Sequence, residues 1–241
     1  LSPEINGSRE FISKKRYADD INDIGAIKGG NIWAMFEDNS GRIWVGSNMG
    51  GLFLYKTERD NFRIFDVVRG SSSDLQSFKI NVIMQDHRGL IWLGTEYGFA
   101  AMTCDETDYA EFRTFTEIDG LCNNGVTGIL EDDHGDLWIS TKDGLSRFSP
   151  PEMVFDRSER GEFHNYSSND GLQSNKFNPF AYAQSWTGEM FFGGNKGLSS
   201  FYPDSVIMSN PLSGVILTNF RISNEEVHAG DTINRRFIFD K

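Results

Sequence analysis

Short apolar runs separated by Gly- and Asp-containing turns mark this chain as a succession of β-strands. The clearest stretch is Ile129 to Phe148, ILEDDHGDLWISTKDGLSRF. It reads as a strand, an Asp-Asp-His-Gly turn, a second strand carrying Trp138, a Lys-Asp-Gly turn and a third strand. The same unit recurs from Met35, from Ile83 and from Ala183, the last with Phe191 where the others have Trp. The anchors Trp44, Trp92, Trp138 and Phe191 lie 48, 46 and 53 residues apart. A period of about 40–50 residues, each holding several short strands, predicts a β-propeller.

Within each unit the pattern places an innermost strand at 32–37, 80–85, 126–131 and 178–183. A second strand falls at 42–46, 90–94, 136–140 and 189–193, and a third at 52–55, 99–102, 145–148 and 198–202. A fourth, outer strand follows three units: Asn61-Phe-Arg-Ile-Phe65, Glu111-Phe-Arg-Thr-Phe115 and Glu162-Phe-His-Asn-Tyr166. Their aromatics read as one buried face. The fold class is all-β: about four four-stranded blades, with a truncated β-sandwich start at the C-terminus. The fourth unit has no such outer segment after it; Phe11-Ile12 before the first unit is a strand-like piece that either completes it and closes a ring of four or belongs to a preceding blade. The domains read as a lead-in over 1–30, blades over 31–210 (31–66, 79–116, 125–167 and 176–203), and a second β-domain opening over 211–241. In that tail Val215 to Ile222 is the expected strand, with Glu225-Glu226 and Gly230-Asp231 in turns.

Composition narrows the partners. There are 25 glycines, 6 prolines and 13% aromatics in 241 residues, which suits tight turns between ring-packed strands. The net charge of −12 argues against nucleic acid, whose phosphates need a basic surface. No apolar run is long enough to span a bilayer. The chain begins with Leu and reads as an excised fragment, so its lack of a leader says nothing about compartment. Cys104 and Cys122 do not make a framework; they read first as two separate thiols, with a disulfide in an oxidising compartment as the alternative. No cofactor motif is present, and the four histidines share no metal-ligand spacing.

Asp38, Asp86 and Asp132 each precede a glycine by three. They lie on different blades and cannot converge on a cation, so they read as turn formers accepting backbone N–H groups. The three tryptophans at one repeat position read as packing between blades. The non-repeated aromatics Trp33, Tyr97, Tyr182 and Trp186 are better stacking candidates, although packing competes there too. In a propeller the loops around one mouth of the central channel carry ligands more often than the scaffold does. Those loops hold Asn48, Lys79, Glu96, Tyr97, Asn123, Asn124, Lys142, Asp143, Asn175, Asn195 and Lys196. Amides and mixed charges beside an aromatic suit sugar hydroxyls; the competing reading makes them turn formers. Glu96 and Asp143 are the one carboxylate pair placed for glycosidase chemistry.

Glu37-Asp38…Gly41…Trp44-Val45-Gly46-Ser47, Gln85-Asp86…Gly89…Trp92-Leu93-Gly94-Thr95 and Glu131-Asp132…Gly135…Trp138-Ile139-Ser140-Thr141 resemble the two-component regulator propeller repeat. Asp119-Gly120-Leu121 and Asp170-Gly171-Leu172 match the segment that follows its outer strand. Val215 to Ile222 is similar to the first strand of the immunoglobulin-like Y_Y_Y domain of such sensors. The fourth unit departs from the pattern at Ser185-Trp186-Thr187-Gly188 and Phe191. The resemblance implies a non-catalytic, periplasmic sensor region of a hybrid histidine kinase, four blades of a seven-bladed ring, with an oligosaccharide as the expected ligand. Membrane contact would come through other parts of the parent protein. Four blades cut from such a ring expose two sheet flanks, so a homodimer or other self-association is expected. The rival readings are a propeller lyase or glycosidase, and a plain dimerisation scaffold.

Overall fold

A computed structural model of the chain describes residue 27 and residues 30–48, 50–65, 79–105 and 109–206, with the backbone of four short strands beyond them. The chain divides into two compact units, residues 1–203 and 204–241. Phe11-Ile12 and 215–219 lie outside the described residues.

In the first unit each repeat folds into one antiparallel sheet. Blade I is β1 (Ile32–Glu37), β2 (Ile43–Ser47), β3 (Leu52–Lys56) and β4 (Asn61–Phe65). Blade II is β5 (Ile80–Gln85), β6 (Ile91–Thr95), β7 (Gly98–Cys104) and β8 (Ala110–Phe115). Blade III is β9 (Val126–Glu131), β10 (Leu137–Thr141), β11 (Leu145–Ser149) and β12 (Glu162–Tyr166). Blade IV has three described strands, β13 (Phe177–Gln184), β14 (Met190–Gly194) and β15 (Gly197–Phe201). The first strands neighbour one another in chain order, β1 beside β5, β5 beside β9 and β9 beside β13. This is a propeller arrangement of blades about the inner strands.

One constellation closes each of the first three blades. Asp38 Oδ1 accepts the backbone N–H groups of Ser40 and Arg42, and Oδ2 accepts the Trp44 indole N–H at 2.8 Å. Asp86 holds Arg88, Leu90 and, at 2.9 Å, Trp92 in the same way. Asp132 holds His134, Asp136 and, at 2.8 Å, Trp138. Gly41, Gly89 and Gly135 return the chain at φ of 75°, 87° and 84°, a conformation open to glycine at little cost. The aspartates therefore make the expected turns and also carry a second role that turn chemistry alone did not predict. In blade IV Ser185 keeps the turn, its hydroxyl accepting the Glu189 N–H at 3.0 Å, while Phe191 offers no indole to bind.

The oriented indoles fill the seams between blades. Trp92 meets Phe99 and Phe115 of its own blade and Phe148 of blade III. Trp138 stacks on Tyr166 and meets Phe201 of blade IV at 4.7 Å. Trp44 lies in a core with Ile80, Ile83, Leu93 and Met102 of blade II. All three indoles are at most 1% exposed. The glycine two residues on makes room for the next blade. A Cβ on Gly46 would meet Ile80 at 2.7 Å, and one on Gly94 would meet Val126 at 2.7 Å.

Two expectations need correction. The outer-strand aromatics do not share one face. Phe65 packs with Trp44 towards blade II, while Phe62 packs with Val45 and Phe53 on the other side. Likewise Phe115 and Phe112 enter different cores. Residues three apart in a strand point to opposite faces, so one outer strand supplies a ring to each side of its sheet. In the second unit Glu225-Glu226 are in a strand rather than a turn. β16 (Phe220–Ile222) pairs with β17 (Glu225–Val227), Ile222 opposite Glu225, and β18 (Thr232–Ile233) pairs with β19 (Arg236–Phe237). Pairing uses backbone groups alone, so charged residues do not prevent it.

Removing the Asp86 carboxylate leaves a buried indole N–H and two turn N–H groups without their acceptor. Asp86→Ala should cost about 3 kcal/mol, at about 1–3 kcal/mol for each buried unsatisfied group. A double-mutant cycle with Trp92→Phe in urea should show coupling of about 1 kcal/mol or more, and additivity would dissolve the proposed link. Acid should act on the same element. Burial pushes the Asp38 carboxyl up, but hydrogen bonds from Trp44 and Arg42 outweigh this and hold it below the ordinary aspartate range. A depressed folded-state pKa stabilises fully above the unfolded value and loses that stability as pH falls through the folded one. Stability should therefore hold at neutral pH and decline below about pH 4. Asp38→Asn should flatten that acid slope, as read by unfolding midpoints across the range.

Candidate functional site

The inner strands carry an irregularity at a fixed place. Between Ile32 and Ala34, Ile80 and Val82, and Val126 and Gly128 the register with the second strand shifts by one residue. Trp33, Asn81 and Thr127 are the bulged residues, turned out of the ladder. In blade IV the shift spans Phe177 to Tyr182, so Asn178-Pro179-Phe180-Ala181 forms a larger bulge. Pro179 lacks an N–H for a regular ladder, the one sequence signal that this strand is interrupted. Phe180 adopts φ of 64°, a left-handed conformation that costs a non-glycine residue about 1–2 kcal/mol.

These bulges and the neighbouring loops bring all four blades to one cluster. The Phe180 ring meets the Trp33 indole edge-on at 5.7 Å. The Lys79 ammonium lies 4.2 Å from the centre of the same indole. Lys79 also pairs with Glu96 Oε1 at 2.5 Å, and Lys142 pairs with Glu96 Oε2. The Glu96 side chain is 17% exposed, against 28% for Lys79 and 53% for Lys142, so the ammonium groups are more open to solvent than the carboxylate. Partial burial pushes the Glu96 carboxyl up, but hydrogen bonds and charge from Lys142 and Lys79 outweigh it and leave it below the ordinary glutamate range. Asn81 occupies the equivalent bulge of blade II. Its Nδ2 donates to Val126 O at 2.8 Å, and its Oδ1 is buried with no partner among the described residues.

The other candidates divide by what their polar atoms already do. Asn48 Oδ1 accepts the Asn31 N–H. Asn123 Oδ1 accepts the Gly125 N–H. Asn124 Oδ1 accepts the Glu117 N–H, and Asn124 O accepts Gly98 N–H of the preceding blade at 2.7 Å. Asn175 repeats this, its Oδ1 accepting Ser168 N–H and its carbonyl accepting Gly144 N–H at 2.7 Å. These amides pin the loops that enter each inner strand. Asn195 Oδ1 accepts from Ser174 Oγ in blade IV. Tyr97 is 56% exposed, and Asp143 and Lys196 are exposed at the tips of their loops. Tyr182 packs over Gly128 of blade III, where a Cβ would come within 2.3 Å of its ring, and burial pushes its hydroxyl pKa up. Trp186 stands 96% exposed in the blade IV turn. Sequence reasoning therefore named Trp33, Lys79, Glu96 and Lys142 without joining them, and it missed Phe180.

Residues 26–49 and 120–143 match the family model for the two-component regulator propeller. Over those two segments the chain carries the two-component regulator propeller repeat. The chain is similar to the extracellular domain assigned to a hybrid two-component system of B. thetaiotaomicron, with a TM-score of 0.62 and 25% identity over 79% of this chain and 24% of that one. The extracellular domain assigned to a one-component system of the same organism shares the fold, with a TM-score of 0.57 at 20% identity over 72% of this chain and 24% of that one. Histidine kinase P4 of Formosa agariphila is 27% identical over 80% of this chain and 17% of its own length. The chain thus spans between about a sixth and a quarter of the length of these relatives. Among the described residues no helix is long and apolar enough to cross a membrane.

Phe180 offers a direct test of the cluster. Phe180→Gly relieves the left-handed strain and deletes an exposed ring, so stability should stay level or rise by up to about 1 kcal/mol. Chemical unfolding showing a loss of more than about 1 kcal/mol would make the ring a structural element instead.

Proposed function

We propose that this chain is a non-catalytic, extracytoplasmic sensor module of a hybrid histidine kinase and that the four-blade cluster is its oligosaccharide recognition point. The observation that carries the reading is that Trp33, Lys79, Glu96, Lys142 and Phe180 reach one place from blades I, II, III and IV. A ligand held there contacts every described blade at once. If it binds one blade arrangement more tightly than another, it shifts the equilibrium between them by that difference in affinity. The likeness to sensor ectodomains and to a histidine kinase supports the same reading, with the parent protein relaying the shift across the membrane.

The glycosidase alternative asks Glu96 to donate a proton. Two ammonium groups hold that carboxylate ionised, which disfavours the role. Sugar release by the purified chain, abolished in Glu96→Gln, would overturn the sensor reading. The direct test is thermal melting against a panel of plant and host oligosaccharides. A cognate ligand at 100 times its Kd should add about 2.7 kcal/mol, seen as a raised midpoint that is lost in Trp33→Ala. A panel without any shift would remove recognition from these blades.

A further inference from the structure

The cluster holds two cations and one anion, in a chain whose net charge is −12. Its one carboxylate lies beneath two more exposed ammonium groups and is bound by both. Lys176 and Lys196 stand exposed on the neighbouring loops of blade IV, which are joined by Asn195 N–H donating to Lys176 O at 3.3 Å. The surrounding loops also carry Glu117, Asp143 and Asp170, so the basic feature of this mouth is the Lys79–Lys142 pair itself. Exposed rings lie beside it: Phe180 is 51% exposed, and Tyr97, next to Glu96 in the chain, is 56% exposed. Ammonium groups recognise carboxylate and sulfate, and ring faces take the C–H face of a pyranose.

We infer that the site binds a saccharide bearing a carboxylate or sulfate, and that Glu96 occupies the anion position until the ligand displaces it. The inference rests on the sensor reading above and adds the ligand's charge to it. Each lysine reaches a different oxygen of Glu96, so the pair is already spaced for an oxyanion with two acceptors. Displacement leaves Glu96 without its partners, so the resident carboxylate sets a threshold that weak anions do not pass. Neutral sugars bring the lysines no counter-charge to replace the Glu96 carboxylate, and so leave the Glu96 bridge closed.

Calorimetric titration of the whole chain with trigalacturonate, its fully methyl-esterified neutral counterpart and a sulfated disaccharide tests this. An acidic sugar should bind at least about tenfold more tightly than the neutral one, the size of one charge-assisted hydrogen bond, and weaken as salt is raised. Comparing the carboxylated and sulfated arms identifies the anion. Glu96→Gln should tighten acidic binding about tenfold by removing the internal competitor. Lys142→Met, at an exposed position, should weaken it about tenfold with an unchanged melting midpoint. Equal binding of the acidic and esterified sugars, or no gain in Glu96→Gln, overturns the inference. A neutral oligosaccharide that shifts melting while neither acidic sugar binds overturns it and leaves the sensor reading standing. Silence from acidic and neutral sugars alike overturns it, and silence across the melting panel as well removes recognition from these blades.

Discussion

The hydrogen bond from an indole N–H to a buried carboxylate, made three times over, is the constraint on which the rest of this propeller depends. It fixes two things with one side chain. One oxygen of Asp38, Asp86 or Asp132 gathers two backbone N–H groups and closes the turn between the first two strands. The other oxygen fixes the indole six residues on, so the ring is aimed into the seam before the next blade packs. A buried carboxylate is costly when its acceptors are idle, and here they are engaged from three directions. Asparagine, with one acceptor oxygen, could serve the turn or the indole but not both in this geometry. The absence of both partners from blade IV follows the same logic: without the indole the carboxylate loses its main side-chain partner, and Ser185 suffices for the turn.

Adjacent blades are joined at three levels. Aromatic rings and small-residue sites make the middle of each seam, as at Gly46 and Gly94. Near the loop-pinning asparagines, Gly98 and Gly144 donate to carbonyls of the following blade. At the turn end, Asn39 N–H donates to Gln85 and His87 N–H to Glu131, while Arg42 and Arg88 reach carbonyls at Cys104 and Pro151. Arg113 adds a clamp on the long blade III loop through the carbonyls of Val154, Asp156 and Glu159. Bonds at both ends of a seam resist rocking as well as separation. Packed interfaces of this kind have discrete arrangements and little continuous give.

What the sequence made legible is the part governed by period. The strands lie within about two residues of where alternation and turn residues put them, because burial of one face and glycine at positive φ leave a mark on residue type. The Asp-x₅-Trp spacing was visible too, but its meaning needed a direction in space: nothing in the chain says that a turn carboxylate has an oxygen left over. The cluster was half legible. Lys79, Glu96 and Lys142 could be assigned to the correct loops, yet loops of different blades converge only once the blades are stacked. Phe180 was not legible, since a bulge breaks the alternation on which strand reading rests and a left-handed phenylalanine has no sequence signature. The same blindness put both outer-strand rings on one face, although a Phe-x-x-Phe spacing in an extended strand must split them.

Bulges at one position of every inner strand separate the two tasks of the fold. A residue held in the ladder belongs to a seam and answers to its packing; a bulged residue is released from the ladder and can change without moving the seam. Within this single chain the released position is used in four ways. Thr127 bonds Ser140 within its own blade. Asn81 bonds the Val126 carbonyl of the next. Trp33 offers a ring to a lysine, and the blade IV bulge widens until Phe180 reaches across to that ring. Four different residues on four near-identical scaffolds show that the axis tolerates what the seams do not. Strain concentrated at Phe180 then has a physical reading: the least regular blade can lengthen its bulge because its inner strand is already interrupted by Pro179, and the blades with intact Asp–Trp pairs keep theirs to a single residue.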